Sequence, residues 1–167
     1  MKFIKQFFIK RAIKASDSTK VRALNPKYKW KILYDASTDS YVNDLSDELQ
    51  KTFNCDREDI VELGVSENVG NTTFISYDSF SWLGDLNDDA VNEALLAPCE
   101  HLIIFTENAG TLIRYLDVKL QSNIQIGLPD ENLDHNLTIN ISAEKTSIFV
   151  RELKHYLAKI KIENEAI

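Results

Sequence analysis

The stretch His101-Leu102-Ile103-Ile104-Phe105-Thr106 decides the fold, because it places a continuous apolar run at the length of one β-strand. A strand this apolar is expected where both faces of a sheet are covered, as in a parallel sheet. Residues 109–120 follow with leucine and isoleucine at helical spacing, so the strand is predicted to lead directly into a helix. This pair of segments indicates one βα step of an α/β fold.

The same alternation of strand-like and helix-like segments continues in both directions along the chain. Further helices are predicted over 41–53 and 87–96 and from Ser142 to about Ile162; further strands over 30–35, 59–65, 72–76, 123–128 and 137–141. Because such alternation requires right-handed crossovers, we predict a mostly parallel doubly wound sheet, a Rossmann-like or flavodoxin-like three-layer sandwich. The strictly alternating segment 137–141 is expected at an edge of that sheet.

Charge divides the chain into two unequal parts. The first 31 residues carry ten Lys or Arg and one acid, a formal charge of +9. The rest carries nine Lys or Arg and 25 acids, a charge of −16. We therefore predict a basic N-terminal helix and connector at 1–29, and one α/β domain at 30–167. Such asymmetry points to an anionic partner for the basic end.

Residues 2–15 are predicted to form a helix whose first two turns gather apolar side chains on one face. Arg11 and Lys14 fall in the same arc, so charge distinguishes this segment more clearly than amphipathicity. The candidate apolar anchor or packing face consists of Phe3, Phe7 and Phe8. The candidate side chains for binding an anionic partner are Lys2, Lys5, Lys10, Arg11, Lys14, Lys20 and Arg22.

Two anionic partners fit residues 1–31, and an intramolecular alternative competes with both. RNA, including ribosomal RNA, would be bound through its phosphates, and the headgroups of an anionic membrane would attract the same lysines. In the alternative, the basic segment packs on its own acidic domain. The sequence contains no run of 18 apolar residues, so no membrane-spanning helix is predicted. We expect the protein in the cytoplasm, either free or bound peripherally to the inner membrane.

Polar residues follow two of the predicted strands, where ligands bind in open α/β sheets. The strand-end ligand candidates are Asp35, Ser37, Thr106 and Asn108. They support an alternative function, a small nucleotide- or metal-binding enzyme. The competing interpretation is that Asp35 and Ser37 close a turn while Asn108 caps the next helix.

No catalytic residue, cofactor or metal site is predicted. Only five glycines are present and none forms a phosphate-binding motif. Cys55 and Cys99 are expected as reduced thiols. Cys99 and His101 could share one face of a strand, although burial of both is the favoured interpretation.

The segment from Phe74 to Leu86 is rich in aromatic, Ser and Asp residues and is predicted to be mainly irregular. Exposed aromatics in such a loop would form a site for a protein partner. The alternative is that Phe80 and Trp82 fold back and cover one end of the sheet.

Five short motifs stand out along the chain: Lys10-Arg11-Ala12-Ile13-Lys14, Val21-Arg22-Ala23-Leu24-Asn25, Tyr34-Asp35, Phe80-Ser81-Trp82-Leu83-Gly84 and Pro98-Cys99-Glu100-His101-Leu102-Ile103. Together they resemble a family of small uncharacterised α/β proteins from Bacteroidota that have a basic N-terminal helix. The resemblance implies an α/β fold and a bacterial cytoplasmic setting, and it transfers no catalytic residue.

Overall fold

The computed structural model describes residues 25–68, 74–81 and 85–165. The predicted basic helix at 2–15, with every candidate side chain assigned to the N-terminal segment, lies outside the described residues. The four helices of the described part are α1 (Asp39–Phe53), α2 (Asp89–Leu96), α3 (Thr111–Lys119) and α4 (Thr146–Glu165). Its five strands are β1 (Tyr28–Asp35), β2 (Ile60–Val65), β3 (Cys99–Phe105), β4 (Ser122–Gly127) and β5 (Leu137–Thr138).

The five strands form one sheet in the order β2-β1-β3-β4-β5, and every neighbouring pair is parallel. Ile103 of β3 pairs with Ile32 on one side and Ile126 on the other, so the apolar run lies at the centre. This order is shared by flavodoxin-like folds. The predicted doubly wound α/β fold is confirmed.

Helices cover both faces of the sheet and create two separate apolar clusters. On one face, Leu45 of α1 and Phe149 of α4 pack with Ile32 and Ile103. On the other face, side chains of α2 and α3 pack with Leu33 and the remaining core residues of β3. Because β3 is covered on both sides, its apolar run has no polar alternation.

Two predicted boundaries near the end of the chain are wrong. The strand predicted over 137–141 is only two residues long, because Ile141 N donates to Ile139 O and the chain turns. The final helix begins at Thr146, four residues after the predicted cap at Ser142. Ser142 O instead accepts from Lys145 N and closes a turn ahead of the helix.

The aromatic segment 74–86 folds back on the domain wherever it is described. Tyr77 and Phe80 are both buried, and the ring of Phe80 meets Tyr115 of α3 edge-on at 5.7 Å. Phe80 also forms an isolated bridge with Leu86. Trp82 lies outside the described residues. A protein partner for this segment stays a prediction.

Candidate functional site

The carboxyl ends of β1 and β3 form the topological switch point of the sheet. These strands are neighbours, but β1 continues into α1 on one face and β3 into α3 on the other. The divergence creates the crevice in which doubly wound proteins bind ligands. The structure brings the four strand-end candidates Asp35, Ser37, Thr106 and Asn108 to this crevice.

The Asp35 carboxylate is the centre of the crevice, and both of its oxygens accept hydrogen bonds. Thr106 Oγ1 donates to Oδ2 at 2.5 Å. Ser37 donates to Oδ1 from its backbone N at 3.0 Å and also from its hydroxyl. Thr106 Oγ1 in turn accepts from Asn108 N at 3.2 Å. One network therefore closes the turn after β1 and ties it to the turn after β3.

Thr38 adds a second link across the same crevice. Its side chain is buried, and its hydroxyl lies 2.7 Å from the carbonyl oxygen of Phe105. The same hydroxyl lies 3.1 Å from the carbonyl oxygen of Asp35. A buried hydroxyl needs such partners, because its desolvation is costly without them. The two turns are thus held together by side chains of the chain itself.

The N-terminus of α3 is capped by carboxylates from other parts of the chain. Glu67 Oε1 accepts from Leu112 N at 2.8 Å, and Asp130 Oδ2 accepts from Ala109 N at 2.6 Å. The predicted cap by Asn108 is wrong, since Gly110 occupies the cap position. A helix N-terminus attracts anions, and here two carboxylates of the protein already take that place.

Glu67 was not among the predicted site residues, because nothing in the local sequence indicates its role. It lies 45 positions before Leu112 along the chain. A Cβ at Gly110 would collide with the Glu67 carboxylate, so the glycine makes room for this cap. The signal that could have found the pair is a helix that begins at a glycine, without a Ser, Thr, Asp or Asn cap of its own.

An acidic cleft of about 620 Å³ lies beside the crevice, at the carboxyl end of β4. Its lining includes Glu107, Asn108, Asp130, Glu131, Asn132 and Thr138, and no basic side chain. Glu107 Oε1 accepts from Ala143 N at 2.9 Å and so ties β3 to the loop before α4. Across the described residues, no group of three or more His, Cys, Asp or Glu side chains is placed to hold a metal ion.

The sequence profile of one protein family matches residues 2–160, nearly the whole chain. The chain belongs to DUF6913, a family of unknown function. No curated protein and no solved structure matches it. The DUF6913 match includes the basic N-terminal segment together with the carboxyl edge of the sheet. It confirms membership of an uncharacterised family and transfers no activity.

The opposite edge of the DUF6913 sheet contains a buried lysine. The side chain of Lys31 in β1 is fully buried, and its ammonium donates to the carbonyl oxygens of Leu95 at 2.7 Å and of Ala97. These carbonyls lie at the end of α2, where a cation is favourable. Burial lowers the pKa of Lys31 to about 8. Although it was counted with the basic segment 1–31, Lys31 is not accessible to a partner.

Cys99 and His101 do not form the contact that their spacing allows. Cys99 belongs to the apolar cluster under α2 and α3, whereas the His101 ring stacks on Trp30, which belongs to the opposite cluster, at 4.3 Å. Burial raises the pKa of the Cys99 thiol to about 11 and lowers the pKa of His101. Both cysteines of the chain are free thiols. Both side chains are buried in the core, as the favoured interpretation predicted.

Along the described ranges, none of the helices is both long enough and apolar enough to cross a membrane.

Proposed function

We propose that this protein docks on an anionic membrane surface through its basic N-terminal segment, residues 1–24. The observation that carries the proposal is charge segregation. Residues 1–24 contain seven Lys or Arg and one acid, whereas residues 32–144 contain four Lys or Arg and 22 acids. A lipid surface attracts the first group and repels the second, so charge alone orients the molecule.

The hydrogen bonds of the carboxyl edge support a role in binding a partner over a role in catalysis. Asp35, Glu67, Glu107 and Asp130 each accept a backbone N–H of a neighbouring turn or helix. Polar groups engaged in this way stabilise loops and leave fewer atoms for a substrate. The acidic edge therefore supports the domain structurally, while the basic segment contacts the partner.

Apolar residues within the basic segment favour a lipid surface over RNA. Phe3, Ile4, Phe7 and Phe8 fall on one face of the predicted helix. Apolar side chains on a basic amphipathic helix enter the boundary between headgroups and acyl chains. Each nearby Lys or Arg contributes about 1 kcal/mol at an anionic leaflet. In the Bacteroidota setting that the family resemblance implies, the surface would be the cytoplasmic face of the inner membrane.

Vesicle sedimentation with matched charge variants tests the proposal. Full-length protein and Lys10→Gln/Lys14→Gln are mixed with anionic or neutral lipid vesicles, at low and high salt. Loss of two lysines should weaken binding to anionic vesicles roughly 20- to 30-fold, and salt should weaken binding of the unchanged protein.

The control variant Lys51→Gln/Lys145→Gln removes the same charge from two exposed positions of the domain. It should bind nearly as tightly as the unchanged protein. Equal losses in both variants would show a non-specific charge effect. Tighter, salt-dependent binding to RNA than to vesicles would reassign the partner to RNA.

A second candidate function is the binding of a small ligand, such as a nucleotide or a divalent metal, at the switch point. The convergence of Asp35 and Thr106 beside the acidic cleft supports it. A ligand that binds only the folded state raises the melting temperature. A rise in melting temperature with a nucleotide or metal, lost in Asp35→Asn, would support this function. A screen without any such rise would reject it.

A further inference from the structure

The longest stretch of the sequence without Lys or Arg includes helix α2. Residues 58–113 contain 11 acids and no Lys or Arg, a formal charge of −11. Residues 1–24 contain seven Lys or Arg and one acid, a formal charge of +6 (seven minus one). Opposite charges attract with or without a membrane nearby. The chain itself therefore contains an acidic competitor for any anionic partner of residues 1–24.

Two lysines near the start of the described chain already bind helix α2. Lys27 Nζ lies 3.4 Å from Oε1 of Glu93, which is an exposed residue of the helix. The ammonium of Lys31 donates to the carbonyl oxygens of Leu95 and Ala97 at the carboxyl end of the helix. The chain that leads to residues 1–24 therefore leaves the domain beside α2.

The outward face of α2 combines acidic and apolar side chains. Asp89, Glu93 and Leu96 recur at spacings of four and three, so they share one face, and all three are exposed. Leu96 is 48% accessible, although most apolar side chains of its size are buried. A basic segment that also contains phenylalanines has the complementary chemistry.

A pocket of about 280 Å³ lies beside the start of α2, and no Lys or Arg lines it. We call it the α2 pocket; its lining includes Phe74, Ile75, Leu86, Val91, Asp78 and Asp88. A cavity of about 150 Å³ holds a benzene ring, so the α2 pocket has room for one phenylalanine side chain. Its two carboxylates suit a ring that is flanked by lysines, as Phe7 and Phe8 are by Lys5 and Lys10.

We propose that, in the absence of a membrane, residues 1–24 bind along α2 and place one phenylalanine in the α2 pocket. The chain is long enough, because the connector 16–26 alone spans up to about 36 Å when extended, whereas α2 is about 12 Å long. The α2 pocket and a lipid surface then compete for the same side chains. The inference adds to the proposed function a docked state that withholds the basic segment from the membrane.

Carbodiimide cross-linking of the full-length protein, without vesicles, tests where residues 1–24 bind. The reagent joins a lysine amine to a carboxylate in contact with it, and peptide mass spectrometry identifies the joined residues. Mixing unlabelled with isotope-labelled protein separates links within one molecule from links between two. We expect links within one molecule from the lysines of residues 1–24 to the acids of α2 and its pocket, which are Asp78, Asp88, Asp89 and Glu93.

Three other cross-linking results overturn the proposal. Links found only between molecules would assign the α2 pocket to the segment of a second copy. Links mainly to other acids, such as Asp44 and Asp47 of α1, would show non-specific attraction. Absence of links from residues 1–24 would show that the segment does not bind its own domain.

Trypsin cleavage after Lys10 and Lys14 measures how often the segment is released, because a protease acts on the open form. Asp88→Asn/Asp89→Asn removes two charges beside the α2 pocket, and the new amide oxygen can still accept the helix-capping hydrogen bond from Val91 N. Cleavage should become roughly 2- to 30-fold faster, as expected for the loss of two surface ion pairs. Asp44→Asn/Asp47→Asn, which removes two exposed charges from α1, is the matched control and should change the rate little.

Circular dichroism confirms that the variants are folded. Phe7→Ala/Phe8→Ala keeps every charge and should also speed cleavage; an unchanged rate would reject a phenylalanine in the α2 pocket. Equal cleavage of the unchanged protein and Asp88→Asn/Asp89→Asn would overturn the docked state. Since these measurements use no lipid, they separate the two proposals: vesicle binding without the cross-links leaves the proposed function alone, and cross-links without vesicle binding leave the docked state alone.

Discussion

Thr106 donates a hydrogen bond from its hydroxyl to the carboxylate of Asp35 at 2.5 Å, although the two residues lie 71 positions apart. The bond joins the ends of the two strands that flank the switch point. Thr106 is buried, whereas Ser37, the other hydroxyl donor to Asp35, is exposed. Water can therefore replace the hydrogen bond from Ser37 more readily than the one from Thr106.

We expect Thr106→Val to destabilise the protein by about 1–3 kcal/mol, because the near-isosteric change removes a hydrogen bond to the charged, half-buried carboxylate of Asp35. Ser37→Ala should cost less than about 1 kcal/mol, since water can reach Asp35 at that position. Urea unfolding of both variants measures the difference. A neutral Thr106→Val would show that the Asp35 network does not stabilise the fold.

The Glu67 cap of α3 predicts a non-additive pair of substitutions. Glu67→Ala removes the acceptor for Leu112 N and should cost about 1 kcal/mol. Gly110→Ala should cost a similar amount, because its Cβ displaces the same carboxylate. In the double variant the second change should cost almost nothing, since the interaction is already lost. Simple additivity in urea unfolding would contradict the shared mechanism.

Burial of Lys31 predicts stability that rises with pH. Its pKa in the folded protein is lowered to about 8, so between about pH 8 and 10.5 the unfolded chain binds more protons than the folded protein. The free energy of unfolding should therefore increase through this window, by up to about 1.4 kcal/mol per pH unit from this group. In Lys31→Met this contribution is absent.

The measurement compares urea unfolding of the unchanged protein and Lys31→Met at pH 7.5, 8.5 and 9.5. Taking the difference removes the contribution of Tyr34, whose pKa is raised to about 12. Cys99 interacts with Lys31, but because burial raises its pKa to about 11, its thiol stays protonated in the folded protein up to pH 9.5. The free energy of unfolding of the unchanged protein minus that of Lys31→Met should increase with pH. If this quantity is constant or decreases, Lys31 remains charged in the folded protein throughout this range.

His101 predicts the opposite limit of the stable range. Burial lowers its pKa in the folded protein, although the neighbouring carboxylate of Glu100 and a backbone hydrogen bond with Lys29 raise the pKa; the charge of Lys29 lowers it further. As pH falls below about 6.5, the unfolded chain is protonated first, so stability falls. We expect a shallower loss between pH 7 and 5.5 in His101→Phe, which keeps a ring against Trp30. The free energy of unfolding of both proteins is measured by urea unfolding at each pH. If it falls equally steeply with pH in both, the loss belongs to other groups.

Local pattern was sufficient to place the four described α-helices and the central strands, because their apolar spacing reflects which side is buried, although it did not give the start of α4. The apolar run in β3 indicated coverage on both faces, and the sheet has helices on both. The length of β5 was not predictable, since it depends on a turn at Ile141 that satisfies Ile139 O. The alternation over 137–141 is compatible with either outcome.

The position of the candidate site could be predicted from the sequence, but the hydrogen bonds that join its residues could not. Strand ends of a parallel sheet meet at one edge, so Asp35 and Thr106 could be placed near each other from sequence. The carboxylate caps by Glu67 and Asp130 depend on contacts between distant segments. The exposed direction of the α4 lysines likewise depends on which side of the helix meets α1 and the sheet.

By itself, the sequence determined the βα alternation, the apolar centre of the sheet and the segregation of charge, because each is a property of consecutive residues. Only the tertiary structure decided the strand order and the engagement of the strand-end carboxylates with backbone N–H groups. It also separated the fully buried Lys31 from the exposed Lys154. The physical reason is desolvation. Whether a charge is available to a partner depends on what surrounds it in space, and the chain order does not specify those surroundings.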